Sequence, residues 1–208
     1  MDYPFDTLGL NSEIIDTLDE TYKLLKSKFR IELTGNIDFH LHDFEVFREC
    51  AGVNLRGSYV IKSARTDCYI LFVEIHKLKK SSSKHDPGLY DYYEYQTWAL
   101  AYTKKDFGRV LIRPETLADK IIELIHPVEL DFDDDKAFSD TFYVLVNDRW
   151  KADIAIDRNF RNAVMDVRHE DIVIEIIDHT LIIGYRKPVS PESSVQLAEF
   201  VARVCSTC

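Results

Sequence analysis

Asp38-Phe-His40-Leu-His42 is the segment in which residue types and spacing come nearest to chemistry. On an extended strand alternate side chains share a face, so Asp38, His40 and His42 would present one carboxylate and two imidazoles to the same side, a set that can hold a transition metal. A half-buried strand that turns Ile37, Phe39 and Leu41 to the core and its polar residues to water gives the same alternation. With no second ligand pair at a known spacing, the expectation is that no metal binds. Cys205-Ser-Thr-Cys208 has redox or metal spacing, but it lies at the chain end rather than at a helix N-terminus where a thiol would be acidified, so Cys205 is expected to pack in a last helical turn. Asp131-Phe-Asp-Asp-Asp135 offers hard oxygens for calcium, yet it lacks the glycine bend and distal glutamate of an EF-hand loop and reads as a solvated connector.

Two further groups suit recognition rather than catalysis. Lys77, Lys79, Lys80 and Lys84 precede Tyr90, Tyr92, Tyr93 and Tyr95, combining cations with stacking surfaces. Such lysines also protect a sheet edge while alternate tyrosines pack. Arg149-Trp150 is a pairing common at interfaces, although a Trp can equally close one end of a core. Arg149, Trp150, Lys79, Lys80, Tyr90 and Tyr92 are therefore the candidate interaction surface. The Gly-rich phosphate loops, the nucleophile elbow and the zincin helix motif are all missing. No catalytic residue and no cofactor are assigned.

Composition narrows the partners. Asp and Glu number 36 against 26 Lys and Arg, a net charge of −10 that repels nucleic-acid phosphates unless one face segregates its cations. No apolar run approaches the roughly 20 residues of a membrane span. The N-terminal Met-Asp-Tyr-Pro-Phe-Asp has neither the basic nor the apolar region of a secretory signal, so the expected location is cytoplasmic, with the four cysteines reduced.

The elements that must position these residues follow from periodicity. Ile14, Leu18, Tyr22, Leu25 and Phe29 mark a helix over 11–30 that Asn11 or Ser12 can cap. Residues 37–42 read as a short strand or as an extended lead-in to a short helix near 44–50. Strands are expected over 55–63 and 67–78, closed by a turn at Ala64-Arg-Thr66, then a polar loop over 79–88 and strands over 93–103 and 109–113. Pro114 is placed to start a helix over 114–125. Beyond the acidic connector, 142–146 and 152–156 read as a strand pair, and Asp157 caps a helix to Val167. A hairpin then turns at Asp178-His179, setting Ile172 against Tyr185, Ile174 against Ile183 and Ile176 against Leu181. A last helix starts at Ser190-Pro191.

The expected fold is thus α+β, with largely antiparallel sheets covered by helices and a C-terminal ββαββα unit. An N-terminal lobe over 1–127 and a C-terminal lobe over 128–208 are expected, unless the two are one continuous domain. The second face of the hairpin, Val173, Glu175, Ile177, Ile182 and Gly184, is too apolar for solvent, so the other lobe or a second copy of the chain should cover it.

Ile112-Arg-Pro-Glu115, Asp131-Phe-Asp, Phe138-Ser-Asp, Tyr143 and the closing Leu181-Ile-Ile-Gly-Tyr-Arg186 resemble an uncharacterised bacterial protein family with an Arg-Pro-Glu step and a later Phe-Ser segment, over about residues 110–187. The resemblance implies a bacterial origin and draws notice to Arg113 and Glu115, but it brings no activity. The functional expectation is a soluble, non-enzymatic module that binds a protein partner or itself. The alternative is an enzyme or small-ligand binder whose site is assembled from scattered residues.

Overall fold

Asn11 opens the first helix as its side chain allows, its Oδ1 accepting the Ile14 N–H at 2.9 Å in a computed structural model that describes residues 3–35, 37–62, 67–80, 88–114 and 127–207. In chain order the elements are α1 (Ser12–Lys28), β1 (Ile31–Leu33), β2 (Gly52–Ile61), β3 (Cys68–Lys80), β4 (Leu89–Tyr102), β5 (Arg109–Pro114), β6 (Val128–Glu129), α2 (Lys136–Ser139), β7 (Phe142–Val146), α3 (Arg149–Ala155), α4 (Arg158–Asp166), β8 (Ile172–Ile177), β9 (Thr180–Tyr185) and α5 (Pro191–Thr207). Among the described residues the strands form one nine-stranded sheet in the order β1-β2-β3-β4-β9-β8-β5-β7-β6, antiparallel at each pairing. The fold is α+β. Among the described residues no helix is long and apolar enough to cross a membrane.

One face of the sheet carries the helices. Ile70, Phe72, Ala99, Ile174, Ile176 and Ile183 are buried there against Leu18 and Leu25 of α1, Phe160 and Val164 of α4, and Leu197, Val201 and Val204 of α5. The β8–β9 hairpin has the register expected from its apolar alternation, Ile172 opposite Tyr185, Ile174 opposite Ile183 and Ile176 opposite Leu181. Asp178 takes a positive φ of 52° in its two-residue turn, a conformation that Asp tolerates.

The ββαββα expectation fails at its second strand. Residues 149–155 form helix α3 because Asp148 does not turn a hairpin but caps, its Oδ1 accepting the Lys151 N–H, while Ala152 and Ala155 bury at helical spacing. Pro114 does not start a helix either. It closes β5 opposite Phe142, where a residue without an N–H is tolerated. The rest of the helix expected over 114–125 lies outside the described residues, as do the turn at 64–66 and residues 81–87 of the polar loop.

The second face of the hairpin is covered from within the chain. An arm, residues 37–50, lays Phe39, Phe44 and Phe47 over Leu71, Val73, Ile75, Trp98, Leu100 and Ile182. Trp98 lies opposite Gly184 across β4 and β9, and a Cβ on Gly184 would sit 2.4 Å from Trp98 Cδ2. Phe47 packs edge-to-face with that indole, with ring centroids 4.8 Å apart. Gly184→Ala is therefore expected to destabilise the fold by about 1–3 kcal/mol through overpacking, read as a lower urea midpoint at unchanged slope. A midpoint at or above that of the wild type would show that the ring moves aside freely.

Candidate binding groove

The arm is built from short-range constraints. Asp38 Oδ1 accepts the His40 N–H at 2.8 Å, His40 takes the left-handed conformation (φ 50°, ψ 41°), and two 3-10 turns follow at Leu41–Asp43 and Glu45–Phe47. The strand reading of 37–42 is thus overturned, and the extended lead-in holds only in part, since a 3-10 turn already starts at Leu41 and the short helix expected near 44–50 is the single 3-10 turn Glu45–Phe47. A left-handed residue breaks the pleat, so Asp38, His40 and His42 do not share the face of a strand. His40 and His42 instead come together with Asp43, with one ligand atom from each lying within 4.8 Å of the others, all three side chains exposed.

A buried carboxylate fastens the arm to the sheet. Glu175, in the middle of β8 and 1% exposed, accepts the backbone N–H groups of Glu45 at 3.0 Å and Val46 at 3.1 Å, and the Arg109 Nη2 at 3.2 Å. Burial pushes its carboxyl above the ordinary value, against the pull of those donors. Arg109 also donates to the Asp43 carbonyl at 3.0 Å. Glu45 sits between two cations, 2.7 Å from Arg48 and 3.6 Å from Arg109. Nothing in the sequence around Glu175 announces this role, because its partners are backbone amides from far earlier in the chain.

Between the arm and β2 lies a groove of about 440 Å³. Its lining is apolar at Val53, Leu55, Ile37, Phe39, Leu41 and Phe47 and polar at Asp38, His42 and Arg48, with Cys50 among them. The edge of β2 beside it is open. β1 pairs only with Tyr59–Ile61, so among the described residues no strand pairs with Gly52–Leu55 on the side away from β3.

The Cys50 end of the groove meets a projecting two-stranded ribbon. β2 reaches only His76, so among the described residues Lys77–Lys80 pair with Leu89–Tyr92 alone. Leu78 and Leu89 are 54% and 62% exposed, and Tyr90 and Tyr93 are also open to solvent. Lys79 Nζ lies 3.2 Å from the Tyr92 ring centroid, and His76 stacks on Tyr93 while its Nε2 lies 2.6 Å from Asp91. The structure thus places Lys79, Lys80, Tyr90 and Tyr92 together on one ribbon; Lys84 lies outside the described residues.

Arg149 and Trp150 stand elsewhere, on α3. Trp150 is 77% exposed and Ile154, one turn on, faces solvent with it, so this Trp does not close a core. The acidic connector is held internally, Arg161 reaching Asp134 at 2.7 Å and Asp135 at 3.1 Å. Cys205 is buried in α5, and its contact with Cys68, together with burial, pushes the Cys68 thiol far above its ordinary value. Cys208 lies outside the described residues. Arg113 stacks its guanidinium on Tyr143 across β5 and β7, and Glu115 lies outside the described residues.

The sequence matches no known protein family and no curated protein. Among solved structures, the fold is similar to the crystal structure of the mycobacterial trehalose monomycolate transport factor A, TtfA, with a TM-score of 0.59 at 10% identity over 94% of each chain.

Proposed function

We propose that the chain is a non-enzymatic protein-interaction module that takes an extended, apolar segment of a partner protein along the groove, beside the free edge of β2. The observation that carries this is the coincidence of an unpaired strand edge at Gly52–Leu55 with an apolar groove on the same stretch. An added strand would gain main-chain hydrogen bonds from the edge, while its alternate side chains enter the groove over Val53 and Leu55. Lys79 and Lys80, at the far end of the adjoining ribbon, favour acidic residues flanking that segment, with Tyr90 and Tyr92 as stacking surface. A compact small ligand would fit the volume but leave the strand edge unused.

The test is selection of 12-residue peptides from a random displayed library against the wild-type chain. Selected peptides are expected to alternate apolar residues, to shift the amide resonances of 52–55, and to lose at least tenfold in affinity to Val53→Lys and Leu55→Lys variants of unchanged circular dichroism, but not to Trp150→Ala. Peptides that bind both lysine variants as tightly as the wild type would remove the groove from the account.

A further inference from the structure

The geometry points to a divalent transition-metal site on the arm, formed by His40, His42 and Asp43, with zinc as the natural probe. Two imidazoles and one carboxylate are a donor set suited to such ions. The three ligand atoms already lie within 4.8 Å of one another, and His42 Nε2 is 3.3 Å from Asp43 Oδ1. Tetrahedral bonds of about 2.0–2.1 Å put neighbouring donors about 3.3–3.4 Å apart, so one pair is at that spacing and the third ligand needs only a rotation of an exposed side chain.

Two features of the arm support the site independently of the ligand distances. The Asp38 carboxylate stands behind His40, with Oδ2 3.6 Å from Nδ1 and Oδ1 holding the His40 N–H. A rotation of the exposed His40 ring that closes this gap to a hydrogen bond would orient the imidazole and leave Nε2 for the ion. The left-handed backbone at His40 takes the chain out of a strand and into the 3-10 turn Leu41–Asp43, which sets Asp43 beside the two imidazoles, whose rings lie 6.0 Å apart. Asp38 thus acts as a positioning residue, and Asp43 takes the ligand position that alternation would have given it. Three protein ligands leave a fourth position open to water or to a donor from a bound molecule, and His42 also lines the groove. The site stands whether or not the groove takes a peptide.

The experiment uses the untagged chain, stripped with a chelator and titrated with ZnCl2 by calorimetry, with Co²⁺ absorption reporting geometry. One equivalent is expected to bind with micromolar affinity, and cobalt to give the intense visible bands of a four-coordinate ion. His40→Ala and His42→Ala should each weaken binding at least tenfold, Asp38→Asn by about tenfold with the stoichiometry kept, and His76→Ala not at all. All of these side chains except His76 are exposed, so thermal midpoints without metal should stay within a degree or two. Affinity weaker than millimolar, or a change of less than threefold in either His40→Ala or His42→Ala, would overturn the assignment.

Discussion

Glu175→Ala is expected to release the arm from the sheet at a cost of about 2–4 kcal/mol. The carboxylate is the common acceptor for two backbone N–H groups and one guanidinium, and its removal leaves the amides of Glu45 and Val46 facing a buried space without a partner. Breaking a fully buried ion pair from one side costs about 3–5 kcal/mol. Arg109 is a quarter exposed and keeps the Asp43 carbonyl, so water and that bond recover part of the loss. Glu175→Gln, which keeps an acceptor oxygen and drops the charge, should lose about half as much. Hydrogen exchange separates local from global effects: protection should vanish at residues 44–47 while the amides of β8 and β9 stay slow. Unchanged exchange at Glu45 and Val46 in the alanine variant would show that the phenylalanines alone hold the arm.

Phe47→Ala tests that apolar half. Phe47 is buried in edge-to-face contact with Trp98 and lines the groove at the same time, so truncation removes both a core contact and part of the lining of the site. Losses of about 3–5 kcal/mol accompany such truncations in well-packed surroundings. The chain has only two Trp, and Trp150 is largely exposed, so in a Trp150→Phe background the emission reports Trp98 alone. A red shift in the native state together with a lower urea midpoint is the expected result. A red shift without loss of stability would mean that water enters beside the indole while the rest of the core repacks.

What the sequence discloses depends on how local the determinants are. Asn11 before an apolar-periodic run, and the strict apolar pairing of Ile172–Ile176 with Leu181–Tyr185, are complete within their own segments, and helix α1 and the hairpin are legible from them. Residues 149–155 deceive because Ala152-Asp-Ile-Ala-Ile alternates like a strand, while the deciding fact is the Asp148 cap before it. The strands β1 and β6 are too short to leave a pattern and exist only by pairing with β2 and β7. The candidate surface divides in the same way. The ribbon of Lys79, Lys80, Tyr90 and Tyr92 shows in composition, whereas the groove is assembled from an arm and a distant strand and has no contiguous signature. His40 and His42 were visible as a pair, but their third partner was hidden because a single left-handed residue changes which side chains meet.

The strand order has a consequence for how the chain is made. β4 and β5 follow each other in sequence but are separated in the sheet by β9 and β8, which leave the ribosome much later. Until they arrive, β4 offers Trp98–Tyr102 as an unpaired edge, and β5 has no strand on the side β8 will occupy. The nascent first half is therefore a sheet fragment with a sticky seam, and its completion is an insertion event rather than an extension at the margin. Long-range closure of this kind slows folding and places the risk of aggregation early in synthesis, before the hairpin that fills the gap exists.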